Sequence, residues 1–212
     1  FNEFFGNLLI ERRANPTEDI ISDVATAEVN DEELNDAEML SMLQQFLVAG
    51  NETTTKLLTN LIHRLAVDSE LEDKLRSNPD LIDNFIEEGL RYEAPVGGLF
   101  RMAKEDTQVN DIEIKAGDHL WVIYAAANRD PEIFDNPDDF LVDRENAREH
   151  LAFGHGEHYC IGALLARKEA RIAIQLLLAN IENIQLVEDK NKYEYEESFV
   201  LRGLKELHVS YD

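Results

Sequence analysis

Phe153-Gly154-His155-Gly156-Glu157-His158-Tyr159-Cys160-Ile161-Gly162 decides how the rest of this 212-residue chain is read. Its glycines permit positive φ and the close approach of a flat object. The apolar stretch that follows, Cys160 to Ile181, reads as a strong helix with Ile161, Leu165, Ile172 and Leu176 on one face. The turn therefore delivers a cysteine to a helix N-terminus, where free N–H groups and the helix dipole favour a thiolate. A thiolate is a soft ligand suited to iron, zinc or copper(I). The bland alternative is a small buried Cys after a glycine turn.

His155 and His158 raise the question of zinc. Cys160 is the single cysteine, however, and a zinc site needs further Cys or His at chelating spacing. A nucleophilic cysteine wants a histidine base, and His158, two positions away, points poorly for that role. A lone thiolate in a glycine cage fits an axial ligand to haem iron. The stretch resembles the cysteine-ligand loop of the cytochrome P-450 superfamily, Phe-x-x-Gly-x-His/Arg-x-Cys-x-Gly. Phe153, Gly156, His158, Cys160 and Gly162 fall on that pattern, with Gly154 inside it. The resemblance implies that Cys160 is the proximal ligand of haem b, that Phe153 packs by the sulfur, and that His158 meets a haem propionate. His155 sits at a variable position and reads as structural or solvent-facing.

Outward from the loop, Glu88-Gly89-Leu90-Arg91 lies on an expected helix, about seventy residues upstream. Alone it reads as a surface ion pair of a few tenths of a kcal/mol. The family has a Glu-x-x-Arg here, joined by an Arg from a meandering loop, and Arg144 matches that third member. The resemblance thus implies a buried structural triad of Glu88, Arg91 and Arg144. It also implies that Arg101 binds the haem propionates. A solvated strand Arg is the plain alternative for Arg101.

Further upstream, one long helix is expected from about Asp36 to Ala66. Asn35 with Glu38 makes a capping-box start, and Leu57, Leu58, Leu61, Ile62 and Leu65 follow at helical spacing. Its middle holds poor helix formers, Gly50, Asn51 and three threonines. Ala49-Gly50-Asn51-Glu52-Thr53 resembles the family's oxygen-binding stretch. That implies that Ala49 and Gly50 leave room at the haem face, that Thr53 steadies the reacting oxygen, and that Glu52 relays protons. A mid-helix Thr can also bond back to the i−4 carbonyl and locally widen the helix. The family lines its substrate pocket at positions matching Val48, Val96, Gly97, Gly98, Leu99, Phe199 and Val200. Apolar residues there are as often ordinary core.

Between these landmarks, Phe4–Arg13, Thr17–Glu28, Asp68–Asn78 and Asp80–Tyr92 read as helices, the last two stopped by Pro79 and Pro95. Asp106–Val109, Ile112–Lys115 and His119–Tyr124 read as strands, Asn128–Arg148 as a long loop, and Tyr193–Tyr211 as strands. The fold class is mainly α with small β-sheets (α+β). Residues 1–212 are expected to be a single partial domain, the C-terminal half of the cytochrome P-450 fold, with the N-terminal half absent.

The formal charge is −24, with 44 acidic against 20 basic residues, and this argues against nucleic acid and anionic membrane as partners. Residues 1–50 hold eleven acidic and two basic residues, while residues 144–171 hold four and five. The less acidic patch around Arg144, Arg148, Arg167, Lys168 and Arg171 is a candidate docking face for a ferredoxin or flavodoxin. No apolar run is long enough to span a membrane, no signal peptide is visible, and a lone cysteine points to a reducing, cytoplasmic setting. The resemblance implies a monooxygenase of the soluble bacterial type. Such an enzyme inserts one atom of dioxygen into a small apolar organic substrate, with electrons from NAD(P)H arriving through the redox partner. Two alternatives stand beside it. One is a peroxide-driven peroxygenase, against which the Glu52–Thr53 pair speaks. The other is a haem-free helical interaction fragment.

Overall fold

A computed structural model describes residues 1–212. Its contacts divide the chain into two compact units, Phe1–Glu52 and Thr53–Asp212. The boundary falls inside one helix, Asp36–Val67.

In the first unit, α1 (Asn2–Ala14) and α2 (Ile20–Ala25) pack through Leu9, Val24 and Ala25 against Met39 and Leu43 of α3 (Asp36–Val67). Asp19 caps α2 by accepting the Ser22 N–H at 2.7 Å. The cap shortens the helix expected over Thr17–Glu28. Glu28 instead opens a hairpin of β1 (Glu28–Val29) and β2 (Glu32–Glu33). Asn30 and Asp31 both adopt positive φ at its tip, as a two-residue turn of the right hand demands. The capping box is formed at the start of α3. Asn35 Oδ1 accepts from Ala37 and Glu38 N–H, and Glu38 accepts from the Asn35 N–H at 2.9 Å. The helix then runs as α-helix through Ala49–Thr53, with no wider or tighter turn there. Gly50 is exposed, and a Cβ added to it would meet nothing within 4 Å.

The second unit is built around α5. After α4 (Ser69–Ser77, capped by Asp68) comes a 3-10 turn at Pro79–Leu81, which takes the first residues expected of the next helix. Then α5 (Ile82–Tyr92) is buried almost all round. Phe85, Ile86 and Leu90 pack against Leu57, Leu61 and Leu65 of α3, Leu75 of α4, and Ala170, Ile174 and Leu178 of α7 (Ala163–Asn180). The buried side of α7 is therefore Ala163-Ala170-Ile174-Leu178, and the expected face is solvent-facing, with Leu165, Ile172 and Leu176 exposed. Both stripes have helical spacing, so periodicity alone does not tell which one packs.

Four small antiparallel sheets flank this core. β3 (Leu99–Met102) pairs with β6 (His119–Val122), placing Arg101 opposite Leu120, and β4 (Thr107–Val109) pairs with β5 (Ile112–Ile114). The strand expected to reach Tyr124 stops at Val122, because Tyr124 opens a short helix, α6 (Tyr124–Ala127). β7 (Gln185–Leu186) and β8 (Val209–Ser210) close the chain, and most of Tyr193–Tyr211 is irregular, with only single bridges such as Val96 to Leu201. No helix is long and apolar enough to cross a membrane.

Candidate functional site

The cysteine loop is shaped by two left-handed residues, Gly154 at φ +72° and Gly156 at φ +75°. A side chain at either would be strained. A 3-10 turn at Gly156–His158 follows, and the Cys160 N–H closes the loop by donating to the Phe153 carbonyl at 2.9 Å. Helix α7 starts at Ala163 with Gly162 as its N-cap, so Cys160 lies three residues ahead of the helix rather than on its first turn. The thiol is free and exposed. Ile161 and Leu164 beside it are 88% and 82% exposed.

That donor set fits haem. The loop offers one soft ligand, and nowhere do three His, Cys, Asp or Glu side chains gather to hold a bare metal ion. A metal bound there must bring its other ligands with it. An uncovered apolar surface around the sulfur suits a flat apolar group.

The other expected residues are placed as follows. Arg101 is exposed on β3, and its Nη1 donates to the Phe100 carbonyl at 2.9 Å. His158 is exposed in the 3-10 turn. Val96 and Val200 are brought together, since the Gly97 N–H donates to the Val200 carbonyl at 2.8 Å. Leu99 opens β3, and Phe199 stands edge-on to Trp121, which stacks on Phe100. In the first unit, Val48, Ala49, Gly50 and Glu52 lie exposed along α3, and Thr53 is the half-buried first residue of the second unit.

Glu88, Arg91 and Arg144 converge in the core of the second unit, at 0%, 1% and 6% exposure. Arg91 donates two parallel N–H groups to Glu88, at 2.7 and 2.8 Å, and Arg144 Nε donates to both oxygens at 3.1 Å. The Leu141 N–H is a further donor at 2.8 Å. The two guanidiniums spend their other donors on the carbonyls of Asn128, Asp135, Asn136, Pro137 and Asp139. One carboxylate and two cations thus fasten the long loop to α5.

The neighbouring acid carries a second network that the sequence reading missed. Glu87 is 2% exposed and faces away from the triad. It accepts two N–H groups of Arg167, at 2.7 and 2.9 Å, and lies 3.0 Å from His150 Nε2. His150 Nδ1 accepts the Ala152 N–H, so Nε2 carries the proton and donates to Glu87. The only signal for this network was the tandem Glu87-Glu88 on a largely buried helix, where each acid needs its own partners. Of the charges expected on the docking face, Arg144 is buried on Glu88 and Arg167 is committed to Glu87. Arg148, Lys168 and Arg171 remain exposed along a groove of about 360 Å³ that Glu87 and Asp83 also line.

Burial alone would raise the Glu87 carboxyl. Hydrogen bonds from His150 and Arg167, with the charge of Arg167, more than offset it and hold the group at about 2, below its ordinary 4.5. A depressed folded value means stability that is complete above pH 4.5 and lost as the pH falls towards 2. Acid titration followed by circular dichroism is expected to show this loss, and Glu87→Gln to flatten it in that window. An unchanged acid transition in Glu87→Gln would rule the linkage out.

A protein-family model described as Cytochrome P450 matches residues 1–208. A Bacillus subtilis (strain 168) protein named Cytochrome P450 is 41% identical over 212 residues, which is 100% of this chain and 52% of that protein. The solved structure of a substrate-free Mycobacterium marinum cytochrome P450 superposes with a TM-score of 0.95 at 37% identity, over 100% of this chain and 54% of that one. A Bacillus megaterium cytochrome P450 solved in complex with testosterone gives 0.91 at 36% identity, over 98% and 57%. The chain spans about half the length of the relatives it matches.

Proposed function

Because this chain belongs to the cytochrome P450 family, we propose that it is the C-terminal portion of a haem-thiolate monooxygenase, with residues 1–212 part of one domain. The whole protein would insert one atom of dioxygen into a small apolar organic substrate. NAD(P)H would supply the electrons through a ferredoxin or flavodoxin, in a cytoplasmic setting. The observation that carries this reading is the single thiol of Cys160, exposed on a two-glycine turn beside uncovered apolar side chains.

When bound, haem supplies the iron centre at which dioxygen is activated. The rest of the work falls to this chain. Cys160 would hold the iron through its sulfur, and its N–H bond to the Phe153 carbonyl fixes the backbone from which that sulfur projects. Arg101 and His158 supply donors for the propionate carboxylates. Glu52 and Thr53 hold and move protons at a carboxylate and a hydroxyl. Val96, Leu99 and Val200 would offer apolar side chains to the substrate. Lys168 would present a cation to an acidic electron carrier, beside Arg148, whose Nε lies 3.7 Å from Glu87, and Arg171, which is paired with Asp83, and Lys168→Glu should slow reduction by such a carrier.

Titration of the chain with haem is the test. Saturation is expected to slow labelling of Cys160 by a thiol reagent at least tenfold, with a Soret band growing in parallel. Haem binding with unchanged labelling would remove Cys160 from the site.

A further inference from the structure

We propose that Glu87 and Arg167 form a positioning clamp for the cysteine loop, separate from the Glu88 triad. The proposal takes Cys160 to be the ligand, as above, but the clamp is a property of the folded chain.

Arg167 stands on α7 and spends every face of its guanidinium. Nε and Nη2 donate to Glu87 on α5 at 2.7 and 2.9 Å. Nη1 donates to the Tyr159 hydroxyl at 3.2 Å. The guanidinium carbon lies 4.5 Å above the centre of the Phe153 ring. Phe153 and Tyr159 flank the two-glycine turn of the loop, and the Cys160 N–H donates to the Phe153 carbonyl. One planar cation therefore touches the residue that accepts the cysteine's amide and the residue that precedes the cysteine.

Glu87 ties in the base of the same loop. It accepts from His150 Nε2, and His150 Nδ1 receives the Ala152 N–H. The Leu151 N–H donates to Asn128 Oδ1 at 2.7 Å. The residues between, Gly156 to His158, are exposed. Their position is set from the flanks, and the flanks meet at Glu87. Two adjacent acids on α5 thus divide the labour. Glu88 fastens the long loop, and Glu87 fastens the cysteine loop. A lysine at position 167 cannot replace the arginine, because a point charge neither binds bidentately nor stacks.

Hydrogen exchange read by mass spectrometry on the haem-free chain tests this. Arg167→Ala and Arg167→Lys are expected to raise exchange across residues 151–162 at least tenfold, and Glu87→Gln, which keeps the shape, by a smaller factor. Exchange across residues 135–144, held by the Glu88 triad, should not change. Unchanged exchange in the cysteine loop of Arg167→Ala overturns the clamp. So does an equal rise in both segments, which would make Arg167 a general scaffold residue. If Arg167→Ala does not fold, Glu87→Gln and Arg167→Lys decide by the same comparison. Haem binding by the unmutated chain is read separately, so a missing thiolate spectrum would sink the ligand reading and leave the exchange result to judge the clamp.

Discussion

Glu88→Ala is expected to destabilise the second unit by about 3–5 kcal/mol, the cost of breaking a buried ion pair by removing one partner. Typical domains hold only about 5–15 kcal/mol in total, so loss of folding at ambient temperature is within reach. The cause is specific. Removing the carboxylate takes away the acceptor for both Arg91 and Arg144. It leaves two guanidiniums at 1% and 6% exposure without an anion, and it orphans the Leu141 N–H. The side chains cannot swing to water, because their remaining donors are committed to carbonyls of the long loop. Glu88→Gln keeps one acceptor oxygen and should fall between. Urea denaturation compares the three. A Glu88→Ala midpoint within error of the unmutated chain would mean that the triad contributes nothing net.

The second large effect is expected at Cys160. Cys160→Ser replaces a soft sulfur donor with a hard hydroxyl that binds iron weakly. The fold should not notice. The side chain is exposed, and the bond that closes the loop is made by the backbone N–H, which serine retains. Circular dichroism and the urea midpoint are therefore expected to match the unmutated chain, while haem affinity falls by at least tenfold. This pairing of an intact fold with lost binding separates a ligand from a packing residue. A variant that unfolds, or one that binds haem equally well, would contradict it.

What was legible in the sequence follows from where the chain's chemistry is local. The capping box Asn35–Glu38 fixed the start of α3, and leucines at helical spacing carried it to its end. The cysteine loop could be read because glycine, histidine and cysteine at fixed offsets have few other uses. The triad could be placed only through the family pattern, since nothing local to Glu88 points to Arg144, 56 residues away.

The failures are equally physical. On α7 the stripe Leu165-Ile172-Leu176 was favoured for its bulk. The core instead takes Ala170, Ile174 and Leu178, which pack with Phe85, Ile86 and Leu90 of α5. The α7 start was placed too early, because Gly162 and not the cysteine ends the loop. The strand Leu99–Met102 enters the sequence reading only as the plain alternative for Arg101, because four residues next to glycines carry little signal until β6 pairs with them. Arg167 was misread as a free charge, because its partner, Glu87, lies 80 positions away in sequence.

The most direct test of the central claim, that Cys160 ligates haem iron as a thiolate, is the carbon monoxide difference spectrum of the dithionite-reduced chain. Chain and Cys160→Ser control are expressed alike with added haem. The account requires a strongly red-shifted Soret band in the unmutated chain that vanishes in the control. The same spectrum from both would contradict it.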